Sequence, residues 1–86
     1  MRIDHLRSNS TSMQLRGILE ATVHGNVTEA EKRALEHLAE SPKVIGGRRV
    51  SDYATAAQNI LGVKQYAGND PNILELIREM PKFTFN

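Results

Sequence analysis

The chain contains no cysteine and no tryptophan, and its aromatic residues, two Tyr and two Phe, make up only 5% of 86 residues. Without thiols there are no disulfide staples, no cysteine nucleophile and no zinc–thiolate site. That composition fits a reducing compartment. With so few aromatics, the apolar interior must come from Leu, Ile, Val and Ala. Helices bury such residues well, whereas small β domains lean on aromatic and β-branched side chains. No apolar run approaches the roughly 20 residues of a membrane span. The opening residues Arg2, Asp4 and Arg7 are charged where a signal peptide would be apolar. The expected location is therefore cytoplasmic at synthesis, with neither signal peptide nor transmembrane segment and no membrane partner, and leaderless export is left open.

Catalytic signatures are missing as well. The sequence has no G-x-S-x-G elbow, no H-E-x-x-H pair and no phosphate-binding G-x-x-x-x-G-K-[ST] loop. His5, His24 and His37 are scattered along the chain, and no carboxylate is placed by sequence to orient them. His24 falls at a predicted helix C-terminus, where the dipole favours a cation. His37 is expected on a solvated face. Glu29 with Glu31, Glu36 with Glu40 and Glu75 with Glu79 form carboxylate pairs. General acid–base work needs two carboxyls in different environments, and these read as solvated helix faces. Neither an enzyme, a cofactor nor a metal is expected.

What is present suffices for one small domain. Hydrophobic residues make up 40% of the chain, and 11 basic against 10 acidic residues leave a net charge of +1. A chain this short covers its apolar surface incompletely, so stability is expected to be modest and a homodimer is one remedy. Residues 1–11 read as a flexible lead-in to a single helical domain over 12–86, the polar run from Ser8 to Ser12 spanning the boundary.

Four amphipathic helices are predicted within that domain. Leu15, Ile18, Leu19 and Thr22 mark one face of a helix over 12–24, which Gly25 ends. Thr28 and Glu31 make a capping box for a second helix over 28–40, with Ala30, Ala34, Leu35 and Leu38 inward and Glu29–Arg33 paired outside. Ser41-Pro42 stops it. Ser51 is the expected cap of a third helix carrying Asp52, Tyr53, Ala56, Ala57 and Ile60, closed at Gly62. Asp70 caps the last, whose face is Ile73, Leu76, Ile77 and Met80 and which Pro81 closes. Between the second and third, residues 41–50 hold Gly46-Gly47 between β-branched residues, either a hairpin or an ordered loop. The fold class is thus all-α in the main, a bundle of about four short helices with an irregular or hairpin connection. Its expected core is Leu15, Leu19, Leu35, Leu38, Ile60, Ile77 and Met80.

Two segments are candidates for function. Lys43, Arg48, Arg49 and Lys64 form a basic stretch interrupted only by Asp52, with the glycines and arginines running into a predicted helix start. Free amides, a dipole end and guanidinium forks suit phosphates or carboxylates; the same residues also suit a solvated turn paired with Glu36 or Glu40. A compact helix-turn-helix is disfavoured because residues 41–50 exceed its turn of about three or four residues. A winged variant uses the hairpin instead. In the tail, Phe83 and Phe85 alternate with polar residues and are expected to form an extended segment docked on the core or on a partner. The leading expectation is a non-enzymatic protein-interaction or regulatory module acting through an exposed helix face. A nucleic-acid-binding regulator using residues 43–64 is the alternative, and an exported effector or targeting domain a further one.

Overall fold

The computed structural model describes residues 2–66, 68, 70 and 72–84, apart from the side chains of Arg2 and of residues 80–84. Its strongest local signal is at Thr28. The Thr28 N–H donates to Glu31 Oε1 at 2.8 Å while the Glu31 N–H donates to Thr28 Oγ1 at 3.2 Å, a complete capping box. It starts α3 (Glu29–Leu38), which buries Ala34, Leu35 and Leu38. Glu31 is consequently buried rather than solvated, because its carboxylate turns back to serve the helix start.

Before it runs α2 (Thr11–His24), entered through extended Ser10 and ended by Gly25 at φ +75°, whose N–H donates to the Ala21 carbonyl at 3.0 Å. His24 is the exposed last residue of this helix. The stretch read as a lead-in differs from expectation: residues Arg2–Leu6 form a short helix, α1, and Leu6 is 2% exposed in the core. A five-residue helix carries too little periodicity to announce itself. It is held by packing, since α1 lies against α2 at Gly17 and also touches α3.

The connection at 41–50 is a hairpin. Strands β1 (Val44–Ile45) and β2 (Arg48–Arg49) pair antiparallel, Val44 opposite Arg49 and Ile45 opposite Arg48. Gly46 and Gly47 have φ of +59° and +80°, the left-handed pair that a tight two-residue hairpin requires. The Val50 N–H continues the ladder to the Lys43 carbonyl at 3.0 Å, and the chain passes directly into α4 (Val50–Ile60). This corrects the expected cap: Ser51 lies inside the first turn and Arg49 occupies the cap position without a side-chain bond. The hairpin and the burial of Val50, rather than a hydroxyl, decide where the helix starts.

α4 is the central element. Val50, Tyr53, Ala54, Ala56, Ala57 and Gln58 are all buried, so it is covered on nearly every side by α2, α3 and α5. Four of its residues are Ala or Val, small enough for close approach of its neighbours. Gly62, at φ +76°, follows its end.

The fifth helix, α5, runs over Ile73–Thr84 and so begins three residues after the expected cap. Ahead of it Asp70 Oδ1 accepts the Asn72 N–H at 3.1 Å and the Asp70 carbonyl accepts the Ile73 N–H at 3.2 Å, a turn that leads into the helix. It buries Ile73 and Ile77. Contrary to expectation, it passes through Pro81 and carries residues 82–84 with it, instead of giving way to an extended tail. A proline this near a helix end removes a single backbone donor, and one lost bond in the last turn need not unwind it. The side chain of Phe83, and all of Phe85, lie outside the described residues, as does the side chain of Met80. Leu19, Leu35, Leu38 and Ile77 are buried as anticipated, Leu15 and Ile60 pack at the margin, and Leu6, Ile18, Val50 and Ile73 complete the core. Among the described residues, no helix is long and apolar enough to cross a membrane.

Candidate binding cleft

The basic stretch does not gather into one site. Arg48 Nε donates to Asp70 Oδ2 at 2.9 Å, tying the hairpin to the start of α5. This hydrogen bond holds the Arg48 guanidinium above its ordinary pKa, with the Asp70 charge adding to it against some desolvation. Arg49 Nε donates to Asp52 Oδ2 at 3.3 Å across the first turn of α4. The dipole end that suggested an anion site already has its own carboxylate there. Lys64 Nζ lies 3.5 Å from Glu36 Oε1. The acids that meet the two arginines are thus Asp70 and Asp52, while Glu36 serves the lysine. Three of the four cations point to three different carboxylates.

Lys43 has a different fate. Its Nζ donates to the Asn9 carbonyl at 2.8 Å, an uncharged partner 34 positions away. Both residues line an open cleft of about 600 Å³, within the size range of small-ligand sites. On one side is the α1–α2 connection, with Leu6, Arg7, Ser8, Asn9 and then Gln14. On the other is α3, with Arg33, Ala34, His37 and Leu38, followed by the chain from Glu40 to Lys43. Leu6, Ala34 and Leu38 are buried and form the apolar floor; Arg7, Arg33, His37, Glu40 and Lys43 are exposed around the rim.

Local bonds set the shape of these walls. Gln14, 7% exposed, donates from Nε2 to the Ser8 carbonyl at 2.6 Å and so pins the connection to α2. Its Oε1 is buried with no hydrogen-bond partner among the described residues. On the far wall, the Ser41 N–H donates to the Leu38 carbonyl at 3.0 Å, and Ser41 Oγ accepts the Lys43 N–H at 3.2 Å. His5 Nδ1 contacts Glu20 Oε1 and ties α1 to the middle of α2, giving this histidine a carboxylate neighbour that its sequence surroundings do not suggest.

The electrostatics of the rim follow from who is already paired. Glu29, expected to meet Arg33, meets Lys32 at 3.2 Å instead, since positions three and four residues on are both within reach on a helix face. Arg33 and Arg7 are left without a carboxylate partner among the described residues. The rim therefore carries Arg7, Arg33 and Lys43 against Glu40 alone. Among the described residues no group of three or more His, Asp or Glu gathers as metal ligands would. No protein family, curated protein or solved structure matches the chain. The cleft itself has to carry the functional argument.

Of the four cations of the basic stretch, Lys43 borders it and Arg48, Arg49 and Lys64 do not. Arg7 and Arg33 had no local signal to mark them. They meet across the cleft only because α1 folds back on α2 and α3, which brings together positions 26 apart in the chain.

Proposed function

We propose that this protein is a small non-enzymatic interaction module that docks a segment of a partner protein in the cleft, with the outer face of α3 as its exposed wall. The observation that carries the reading is the combination of an apolar floor with two arginines that have no carboxylate partner among the described residues. Arg33 and His37 stand one turn apart on α3, next to Leu38 and Ala34 below them. A partner segment with both apolar and polar side chains can use both layers. Floor contacts supply apolar burial and rim contacts set orientation, which is the usual division within a protein interface.

Nucleic-acid binding draws less support. A polyanion gains affinity by displacing counterions along a continuous series of cations, and Arg48, Arg49 and Lys64 are each engaged by a carboxylate of their own chain.

The test places a photo-crosslinker at His37, on the rim, and in a second protein at Glu75, exposed on α5 and away from the cleft. In the native host, position 37 should capture a discrete protein that position 75 does not, with capture unaffected by nuclease and lost in Arg33→Glu. Nuclease-sensitive capture would transfer the function to nucleic acid. Equal capture at both positions would remove the cleft from consideration.

A further inference from the structure

Resting on that docking reading, we infer that the occupant of the cleft is an acidic peptide segment, with carboxylates facing Arg7, Arg33 and Lys43 and apolar side chains facing Leu6, Ala34 and Leu38. The charge argument comes from the pairing pattern. A surface cation whose own chain supplies a carboxylate gains little from a second one, because the field is already largely compensated. Arg48, Arg49, Lys64 and Lys32 are in that condition. Among the described residues Arg7 and Arg33 are not, and Lys43 meets the neutral Asn9 carbonyl and no carboxylate. Three cations against the single carboxylate of Glu40 converge on one concave surface, where low-dielectric walls strengthen the field felt by an incoming anion. Arginine suits a carboxylate further, since its planar fork donates two parallel bonds.

The floor decides between anions. A free phosphate makes no use of buried leucines, and a nucleic-acid backbone needs cations that continue beyond the cleft. A peptide with acidic and apolar residues matches both layers at once. Glu40 adds selectivity, because it repels an anion placed at its end of the rim and so favours one register of a charged segment.

The experiment is a backbone-amide NMR titration of the full chain with four probes. These are a short capped peptide of glutamate and leucine, the same peptide with glutamine for glutamate, inorganic phosphate, and a short single-stranded DNA. The expected result is that the glutamate peptide shifts amides at residues 7–14 and 33–43 and the glutamine peptide does so at least about tenfold more weakly, the size expected from charge-assisted contacts. Arg7→Ala with Arg33→Ala should weaken the glutamate peptide by a similar factor with an unchanged melting temperature, whereas Arg49→Ala should leave binding as it was. Raising salt from about 0.01 to about 1 M, which shortens the screening length from about 30 to about 3 Å, should remove most of the difference between the peptides. Equal binding of the two peptides overturns the acidic inference and leaves the docking reading standing. Phosphate acting as strongly as the glutamate peptide overturns it in favour of a simple anion site, and tighter binding of DNA overturns it in favour of a nucleic acid. If no probe shifts the cleft amides, both the inference and the docking reading fall.

Discussion

Gly17 is the contact on which the N-terminal part of the fold turns. A Cβ added there would lie 2.9 Å from the Leu6 backbone nitrogen, 3.0 Å from His5 Cβ and 3.0 Å from Leu6 Cδ2. The closest obstacle is backbone, so no rotamer change relieves it and α1 itself has to shift. In an isolated helix, Gly→Ala is favourable by about 1 kcal/mol, because the unfolded chain loses freedom and the helix gains. Here that gain meets the burial of Leu6, worth about 1.5–3 kcal/mol when complete. If α1 lifts away, Leu6 returns to water and the His5–Glu20 contact goes with it, so Gly17→Ala should destabilise by about 1 kcal/mol net. For a domain of this size that corresponds to a fall in melting temperature of about 4–8 °C. A cycle with Leu6→Ala separates this account from a general helix effect. Once α1 has shifted, Leu6→Ala should cost at least about 1 kcal/mol less than it does in the parent protein. Thermal and denaturant unfolding of the four proteins provide the measurement. A higher melting temperature for Gly17→Ala, or an equal cost of Leu6→Ala in both backgrounds, would show that α1 is not seated against Gly17.

Three further outcomes follow from single contacts. Thr28→Ala removes one half of the capping box and should cost about 1 kcal/mol in denaturant unfolding, whereas Thr28→Ser should be close to neutral. At Gly46, with φ +59° in the hairpin, Gly46→Val should cost about 1–2 kcal/mol from left-handed backbone strain, and Gly46→Asn should be tolerated; the melting temperatures of the two variants check this. Gln58 is 2% exposed in α4 with Nε2 buried and without a partner among the described residues, so Gln58→Met, similar in volume and without that donor, should raise stability by about 1 kcal/mol. A loss of stability would mean that the amide has a partner.

The parts of the fold legible in the sequence are those specified by neighbours in the chain. The capping box at Thr28 and Glu31, the Gly46-Gly47 turn and the stop at Gly25 each need residues within a few positions of one another. The errors arise where a distant contact outweighs a local preference. Ser51 is a good cap, yet the ladder bond from Val50 to Lys43 begins α4 earlier. Pro81 reads as a stop, but α5 continues for three residues beyond it. Residues 2–6 are too short to show a stripe, and they become helical through contacts with α2 and α3. The candidate site suffers most, because pairing decides which cations are available. Runs of charge show where cations lie in the chain and not which carboxylates the fold brings to them. Arg48 and Arg49 look exposed in sequence and are engaged in space, while Arg7 and Arg33 are inconspicuous in sequence and, among the described residues, meet no carboxylate at the cleft.

The cleft and the N-terminal helix are energetically one unit. Five residues are too few to hold a helix alone in water, so α1 owes its form to the burial of Leu6 against α2 and α3, to the close approach at Gly17 and to the His5–Glu20 contact. Arg7 follows immediately and is positioned by that same packing, with Gln14 holding the Ser8 carbonyl one residue later. On the docking reading, an occupant that engages Arg7 binds only the form in which α1 is seated. It must then stabilise α1 by the free energy with which a seated α1 improves binding, because linkage is reciprocal. On that reading, contacts buried beneath the cleft act on affinity without touching the partner, and the missing side chain at Gly17, which lets α1 seat, serves recognition as much as the arginines on the rim.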